Sequence, residues 1–277
     1  MYTLNCKGKL LVIEKPLVMG IINATPDSFY EGHLPKGEAA IIALAEKMII
    51  EGADMLDIGG QSTRPGSSRI TAEEEMQRVL PVVQILHKKY PEIILSIDTY
   101  HAKVATAAVN EGAHIVNDIS AGIMDVEMIQ TVAALQVPYI CMHMKGLPEN
   151  MQQNAIYEDV TKEVLDFLID KIAECTAAGI KDIIVDPGFG FGKTIEHNFT
   201  LLKNMAVFKI LDKPVLAGIS RKATIYKTLN ITADDTLNGT TVLNTIALLN
   251  GVSIIRVHDV REAKEAIQLI KMYKDSI

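Results

Sequence analysis

The chain has 277 residues and a formal net charge of −7, which argues against a general nucleic-acid or membrane surface; an anionic ligand would need a local cluster of basic groups. Apolar residues make up 48% and aromatics only 5%, with no Trp, so Ile, Leu, Val, Ala and the twelve Met must fill the core, Met as gap-filler. Cys6, Cys141 and Cys175 lack disulfide or metal spacing, no cleavable leader opens the chain, and no run approaches the roughly 18 apolar residues of a membrane span; the expectation is a cytoplasmic protein with reduced thiols.

Residues 2–5 and 9–12 flank Gly8 and read as a small hairpin, a plug for the bottom of a larger fold. The run VMGII then ends in Asn23, and a loop rich in Gly, Pro and Ser covers Ala24–Lys36. Ile41, Leu44, Ala45, Met48 and Ile49 follow a helical stripe. The run ADML ends in Asp57, and a second Gly/Pro/Ser loop covers Gly60–Ile70. Thr71 and Glu74 form a capping-box pattern ahead of Met76, Val79, Leu80 and Val83, with Pro81 expected to bend that helix or mark its irregular start. The runs IILSI, HIV and PYICM end in Asp98, Asn117 and His143. Residues 156–178 are the longest helical segment, with Val160, Val164, Phe167, Leu168 and Ile172 inward. The runs DIIV, PVLAGI and SIIRV end in Asp186, Ser220 and His258, and a last helix buries Ala263, Ala266, Ile267 and Ile270.

Eight apolar runs in series, separated mostly by helix-like segments, describe an α/β protein of the (β/α)₈ TIM-barrel class behind a short N-terminal β-hairpin. The length is close to the roughly 250 residues of one such barrel, so residues 1–277 read as a single domain. In this fold the strand ends converge on one mouth, where active sites sit. The polar residue ending each run is therefore a first draft of the site.

Three clusters gather there. Ser220-Arg221-Lys222 and Arg256-Val257-His258 follow strands seven and eight, where barrels commonly bind phosphate; Arg supplies a bidentate fork and Lys a point charge. Asp57, Asp98, Asn117 and Asp186 end four other strands. They could chelate a metal, accept hydrogen bonds from a ligand rich in N–H groups, or in one or two cases cap helices. The stretch Asp186-Pro-Gly-Phe-Gly-Phe-Gly-Lys193 is not a phosphate loop: Pro187 stands where that pattern needs Gly, and Lys193 stands where the dinucleotide pattern needs its last Gly. It reads as a strand-end loop that lets a flat ligand approach, with Phe191 as a stacking wall or a core residue.

Met19-Gly-Ile-Ile-Asn-Ala-Thr-Pro-Asp-Ser-Phe29 and Asp57-Ile-Gly-Gly-Gln-Ser-Thr-Arg-Pro-Gly66 resemble the two leading signatures of the dihydropteroate synthase family. Ser96-Ile-Asp-Thr99, Asn117-Asp118, the 186–193 stretch, Ser220-Arg-Lys222 and Arg256-Val-His-Asp259 are similar to its remaining blocks, in order. The resemblance implies an enzyme of folate synthesis, a transferase that joins 6-hydroxymethyl-7,8-dihydropterin diphosphate to p-aminobenzoate, releasing diphosphate. It implies that Asp98, Asn117 and Asp186 hold the pterin edge, with Lys222 on its acceptor side and Met142 on its ring. It assigns the diphosphate to Asn23, Arg256 and His258, with Mg²⁺ joined through Asn23. Thr63, Arg64 and Pro65, with Phe191 and Lys222, would shape the p-aminobenzoate pocket, for which sulfonamides would compete. The family is usually a homodimer, and the C-terminal helices carry apolar surface enough for one.

The implied chemistry is a dissociative substitution. Diphosphate leaves, the pterin ring delocalises the cation, and the two long loops keep water away while the amine attacks. Two positions depart from the family pattern: Glu31 stands in the first loop where an Asp is usual, and Ala223 stands where a Ser often follows Ser-Arg-Lys. Two other readings share parts of this set, a methyltetrahydrofolate-dependent corrinoid methyltransferase and a non-catalytic pterin-binding protein. Neither gives a reason for two lid loops together with Arg256 and His258.

Overall fold

The structure, a computed structural model, describes residues 1–24, 36–61, 69–147, 151 and 155–276. Strands β1 (Tyr2–Cys6) and β2 (Lys9–Ile13) form the antiparallel hairpin. There follow β3 (Leu17–Asn23), α1 (Lys36–Ile50), β4 (Met55–Gly59), α2 (Ala72–Lys89), β5 (Ile94–Asp98), α3 (Ala102–Asn110), β6 (Ile115–Asp118), α4 (Met128–Leu135) and β7 (Tyr139–Met142). The chain continues through α5 (Val160–Ala178), β8 (Ile183–Asp186), α6 (Ile195–Lys203), β9 (Leu216–Ala217), α7 (Ala223–Leu229), α8 (Leu237–Leu249), β10 (Ile254–Val257) and α9 (Val260–Asp275).

Strands β3 to β10 make one parallel sheet in the order β8-β7-β6-β5-β4-β3-β10-β9. The ring closes where Val185 of β8 bridges Val215 and donates its N–H to the Pro214 carbonyl at 3.0 Å. This is the (β/α)₈ barrel that the eight runs predict. The seventh run is shorter than its apolar length suggests, because the ladder to β10 takes only Leu216 and Ala217. Pro214 has no N–H to give; its carbonyl accepts from Val185 of β8, and the Val215 carbonyl accepts from Ser253 and Ile254 on the β10 side.

Side chains on a strand alternate faces, and here the alternation sorts two cores. The outward set, including Val18, Ile22, Leu56, Ile58, Leu95 and Ile97, packs against the helices in the larger cluster. The inward set, Leu17, Met19, Met55, Ile94, Ile115, Ile140, Ile184, Leu216 and Ile254, fills the lower barrel, and Leu4, Cys6 and Ile13 of the hairpin join it. The hairpin is therefore the plug the sequence suggests. Burying a side chain of this size is worth about 1.5–3 kcal/mol, so the seal is substantial. Burial also pushes the Cys6 thiol up to about 12, with Asp182 nearby adding to the rise.

The helices follow their stripes with four local differences. In α1, Ile41, Ala45 and Met48 are buried while Leu44 is exposed. Helix α2 runs through Pro81, leaving the Gln77 carbonyl outside the ladder. Thr71 Oγ1 caps α2 by accepting from Glu74 N–H at 3.2 Å, but Glu74 turns its own carboxylate to Arg78 at 2.5 Å. Helix α5 starts at Val160 rather than 156, because Asp159 Oδ1 accepts from Thr161 N–H (2.9 Å) and Lys162 N–H (3.0 Å).

Candidate active site

Two residues beyond the lower apolar layer, the same inward face changes character. Met55 is followed by Asp57, Ile115 by Asn117, Ile184 by Asp186 and Ile254 by Arg256; Ile94 is followed by Ser96 and then Asp98. Parallel pairing sets Asp57 opposite Ser96 and Asp98 opposite Asn117. Period two and register thus bring residues remote in sequence to one opening.

Arg256 binds two acids there. Its Nε donates to Asp57 Oδ2 and its Nη2 to Asp98 Oδ2, each at 2.6 Å. Asn117 Nδ2 donates to the same Asp57 Oδ2 at 2.9 Å. Burial alone would lower the Arg256 pKa; the Asp57 and Asp98 carboxylates outweigh it and raise it, so the guanidinium stays charged. Burial pushes Asp98 up to about 7, against the pull of Arg256 and with the help of Asp57. Asp57 is fully buried, and among the described residues its Oδ1 has no hydrogen-bond partner.

Lys222 follows β9, the strand next to the β10 that carries Arg256, and enters the same opening. Burial lowers its pKa to about 8, opposed by Asp186. Its Nζ donates to Phe189 O and lies 4.7 Å from the centre of the Phe191 ring. Burial raises the Asp186 pKa against Lys222 and against the Gly188 N–H, which donates to Asp186 Oδ1 at 2.7 Å. Met142 is buried with Tyr100, Ile119, Met144, Met151 and Phe191 in an apolar cluster beside these groups. His258 Nδ1 meets Ser220 Oγ at 3.0 Å, and His258 N–H donates to the same oxygen at 3.3 Å. Asn23 ends β3, exposed, on the face that carries Met19.

The loop after β8 is held from beneath by Lys193. This buried side chain donates to Gly188 O (2.8 Å) and Phe191 O (3.0 Å) and meets His143 Nδ1 at 2.9 Å. Burial pushes the Lys193 ammonium well down, and burial then Lys193 push His143 down to about 2. The loop lies tight against the end of β7. A Cβ at Gly188 (φ +71°) would come within 1.9 Å of His143 O, and one at Gly192 (φ +65°) within 2.1 Å of Lys145 O. Lys193 is thus a strut that presents Phe191, and His143 is its partner.

Arg221 leaves the opening altogether. Its φ of +56° turns it toward Asp259, which it meets through Nη2 (2.7 Å) and Nε (3.3 Å). Of the basic cluster after strand seven, only Lys222 joins the acids. Among the described residues no group of three or more His, Cys, Asp or Glu could hold a metal ion; two of the acids face Arg256 instead. The expectations placed on Glu31, Thr63, Arg64 and Pro65, and on the two long loops as lids, lie outside the described residues.

Sequence reading passed over three features of this arrangement: the double use of Asp57 Oδ2, the Ser220–His258 contact and the strut role of Lys193. Asp57 stands among the mouth acids in the sequence, and inward parity with Arg256 and Asn117 would have paired it with them. No local signal marks the other two.

Residues 19–258 match the family of pterin binding enzymes. The chain is 40% identical to the dihydropteroate synthase of Escherichia coli (strain K12) over 267 residues, covering 96% of this chain and 94% of that one. It is similar to the Xanthomonas albilineans dihydropteroate synthase with 4-aminobenzoic acid, with a TM-score of 0.93, 37% identity and 99% of both chains covered. A complex of the enzyme from that organism with 7,8-dihydropteroate gives a TM-score of 0.90 at 35% identity, with 100% of both chains covered.

Proposed function

The chain belongs to the dihydropteroate synthase family of pterin-binding enzymes, and on that premise we propose how its mouth performs the family's reaction. It is a transferase that joins 6-hydroxymethyl-7,8-dihydropterin diphosphate to p-aminobenzoate, giving 7,8-dihydropteroate and diphosphate. The observation that carries the reading is the inward ring of Asp98, Asn117 and Asp186 facing Lys222 and Arg256 in one opening. A carboxylate pair and an amide oxygen suit the donor-rich edge of a pterin, while Lys222 donates to its acceptor side. Met142 packs on the ring, and Phe191, held by Lys193, borders the p-aminobenzoate side with Lys222.

Arg256, His258 and Asn23 take the diphosphate. Ser220 supports this by fixing His258 from behind. The donor set at Asn23 fits Mg²⁺: a single amide oxygen at an exposed strand end leaves most of the shell to phosphate oxygens and water, as this ion prefers. When bound, Mg²⁺ neutralises charge on the departing diphosphate. The C–O bond breaks with its electron pair on diphosphate, and Arg256 and His258 stabilise that charge. The pterin ring spreads the positive charge left on the exocyclic carbon. The aniline nitrogen then forms the C–N bond and loses its proton to the departing diphosphate or to water. Thr63, Arg64 and Pro65 complete the p-aminobenzoate pocket, and Glu31 steadies the cation from the first loop.

Residues 1–277 act as one barrel domain in the cytoplasm, a setting supported by three buried free thiols. The active species is a homodimer. Exposed Val242, Leu249, Leu269, Met272 and Tyr273 on α8 and α9 support a pairing face there, which light scattering would check. The activity is tested by diphosphate release from pterin diphosphate, with and without p-aminobenzoate. We expect release with p-aminobenzoate to match dihydropteroate formed; no release under either condition would sink the reading.

A further inference from the structure

We propose that Asp57 is a positioning residue that sets the pterin-reading amide and the anion-holding guanidinium through one shared oxygen, and so links the two halves of the site. The inference rests on the functional reading above for the identity of the two ligands. Asp57 Oδ2 accepts from Arg256 Nε at 2.6 Å and from Asn117 Nδ2 at 2.9 Å, bringing β4, β6 and β10 to a single atom. Only the nitrogen end of an amide can face a carboxylate without repulsion. Asp57 therefore fixes which way Asn117 points, and the amide oxygen is the end left to accept from a ligand's N–H. Arg256 has Nε on Asp57 and Nη2 on Asp98, so its plane is set by two acids and Nη1 is the nitrogen not committed to either.

Stability alone gives no reason for an acid here. Asp57 is fully buried, and its second oxygen has no partner among the described residues, an arrangement that costs folding energy. One layer below, the same strand face carries Met55. A buried group that breaks the local rule in this way marks a site that serves ligand binding. Asp57 is placed to act through its neighbours, because both atoms it orients belong to other side chains.

The test compares Asp57→Ala and Asp57→Asn with Asn117→Ala and Arg256→Ala. Calorimetry would measure bare 6-hydroxymethylpterin and, separately, inorganic diphosphate with Mg²⁺. Asp57→Ala should weaken both ligands by about tenfold or more, the scale of one hydrogen bond to a charged group. Asn117→Ala should weaken mainly the pterin, and Arg256→Ala mainly the diphosphate. Asp57→Asn, which keeps an oxygen acceptor, should lose less than Asp57→Ala for both. A loss in Asp57→Ala confined to one ligand would overturn the link.

A ligand-free readout separates this idea from the functional reading. In nitrogen-edited NMR, Asp57→Ala should shift both the Arg256 Nε–H and the Asn117 Nδ2 signals. If either stays in place, the shared-oxygen role falls whatever the ligands do. If both move yet the wild-type protein binds no pterin, the functional reading falls and the Asp57 linkage stands. Should Asp57→Ala fail to fold, Asp57→Asn carries the same NMR test.

Discussion

The two ends of the barrel use the same strands and the same inward face, yet they do opposite things. At the lower end that face is Ile, Leu and Met sealed by the hairpin. One step up, the mouth gathers three acids and two cations at positions 57, 98, 186, 222 and 256, and burial works against the charged forms of Asp98, Asp186, Lys222 and Arg256. The lower end contributes folding energy through burial. The mouth holds groups that the fold would be better without, kept in place by mutual attraction. On β8 the contrast is only two residues long, Ile184 against Asp186.

That pair gives the sharpest way to break the comparison. Ile184→Ala should cost about 2–5 kcal/mol of stability in urea unfolding, with pterin affinity of the folded protein unchanged. Asp186→Asn should do the reverse, weakening pterin by about a hundredfold in calorimetry with no loss in unfolding midpoint, because a costly buried charge is removed. If Asp186→Asn instead unfolds the protein, the division between the two ends is wrong.

Next in size, Arg256→Ala should weaken diphosphate at least about tenfold more than bare pterin. Equal losses would mean that Arg256 serves the acids rather than the anion.

The smallest effect is in pH. Asp98 must be charged to accept from the pterin and Lys222 charged to donate, so affinity should climb as pH rises through about 7 and fall past about 8. Stability should run the other way. Asp98 is raised from 3.8, so folded protein holds an extra proton between 3.8 and about 7, and stability falls with rising pH there. Lys222 is lowered from 10.5, so its contribution recovers as pH rises from about 8 to 10.5. Binding should be best where the mouth costs the fold most. Urea unfolding and pterin titration across pH 6 to 9 (roughly the span of both groups) would check both limbs, and a flat affinity profile would remove both roles.

Much of this was legible in the sequence for a physical reason. Apolar runs and their polar ends are local, and parallel closure forces the ends together. The barrel, the plug and the meeting of Asp98, Asn117, Asp186, Lys222 and Arg256 follow from that. Which donor meets which acceptor is not local. Asp57, Asn117 and Arg256 share an oxygen only because register aligns three strands far apart in sequence. Arg221 and Lys222 are neighbours in the chain, yet a left-handed backbone at 221 sends one out to Asp259 and leaves the other in the site. Lys193 has the Gly-rich setting of a ligand-facing cation, but carbonyls of its own loop hold it inside.

The hairpin has a consequence for the order in which the molecule is made. Residues 2–13 leave the ribosome before the barrel strands, but the floor they seal includes Leu216 and Ile254, which belong to β9 and β10. The hairpin must wait, with its apolar face uncovered, until β10 finds β3 and the ring shuts. Cys6 lies in that face, and it is hidden once the ring has shut. Its reactivity toward a thiol reagent during synthesis is therefore a clock for closure, running until β10 arrives.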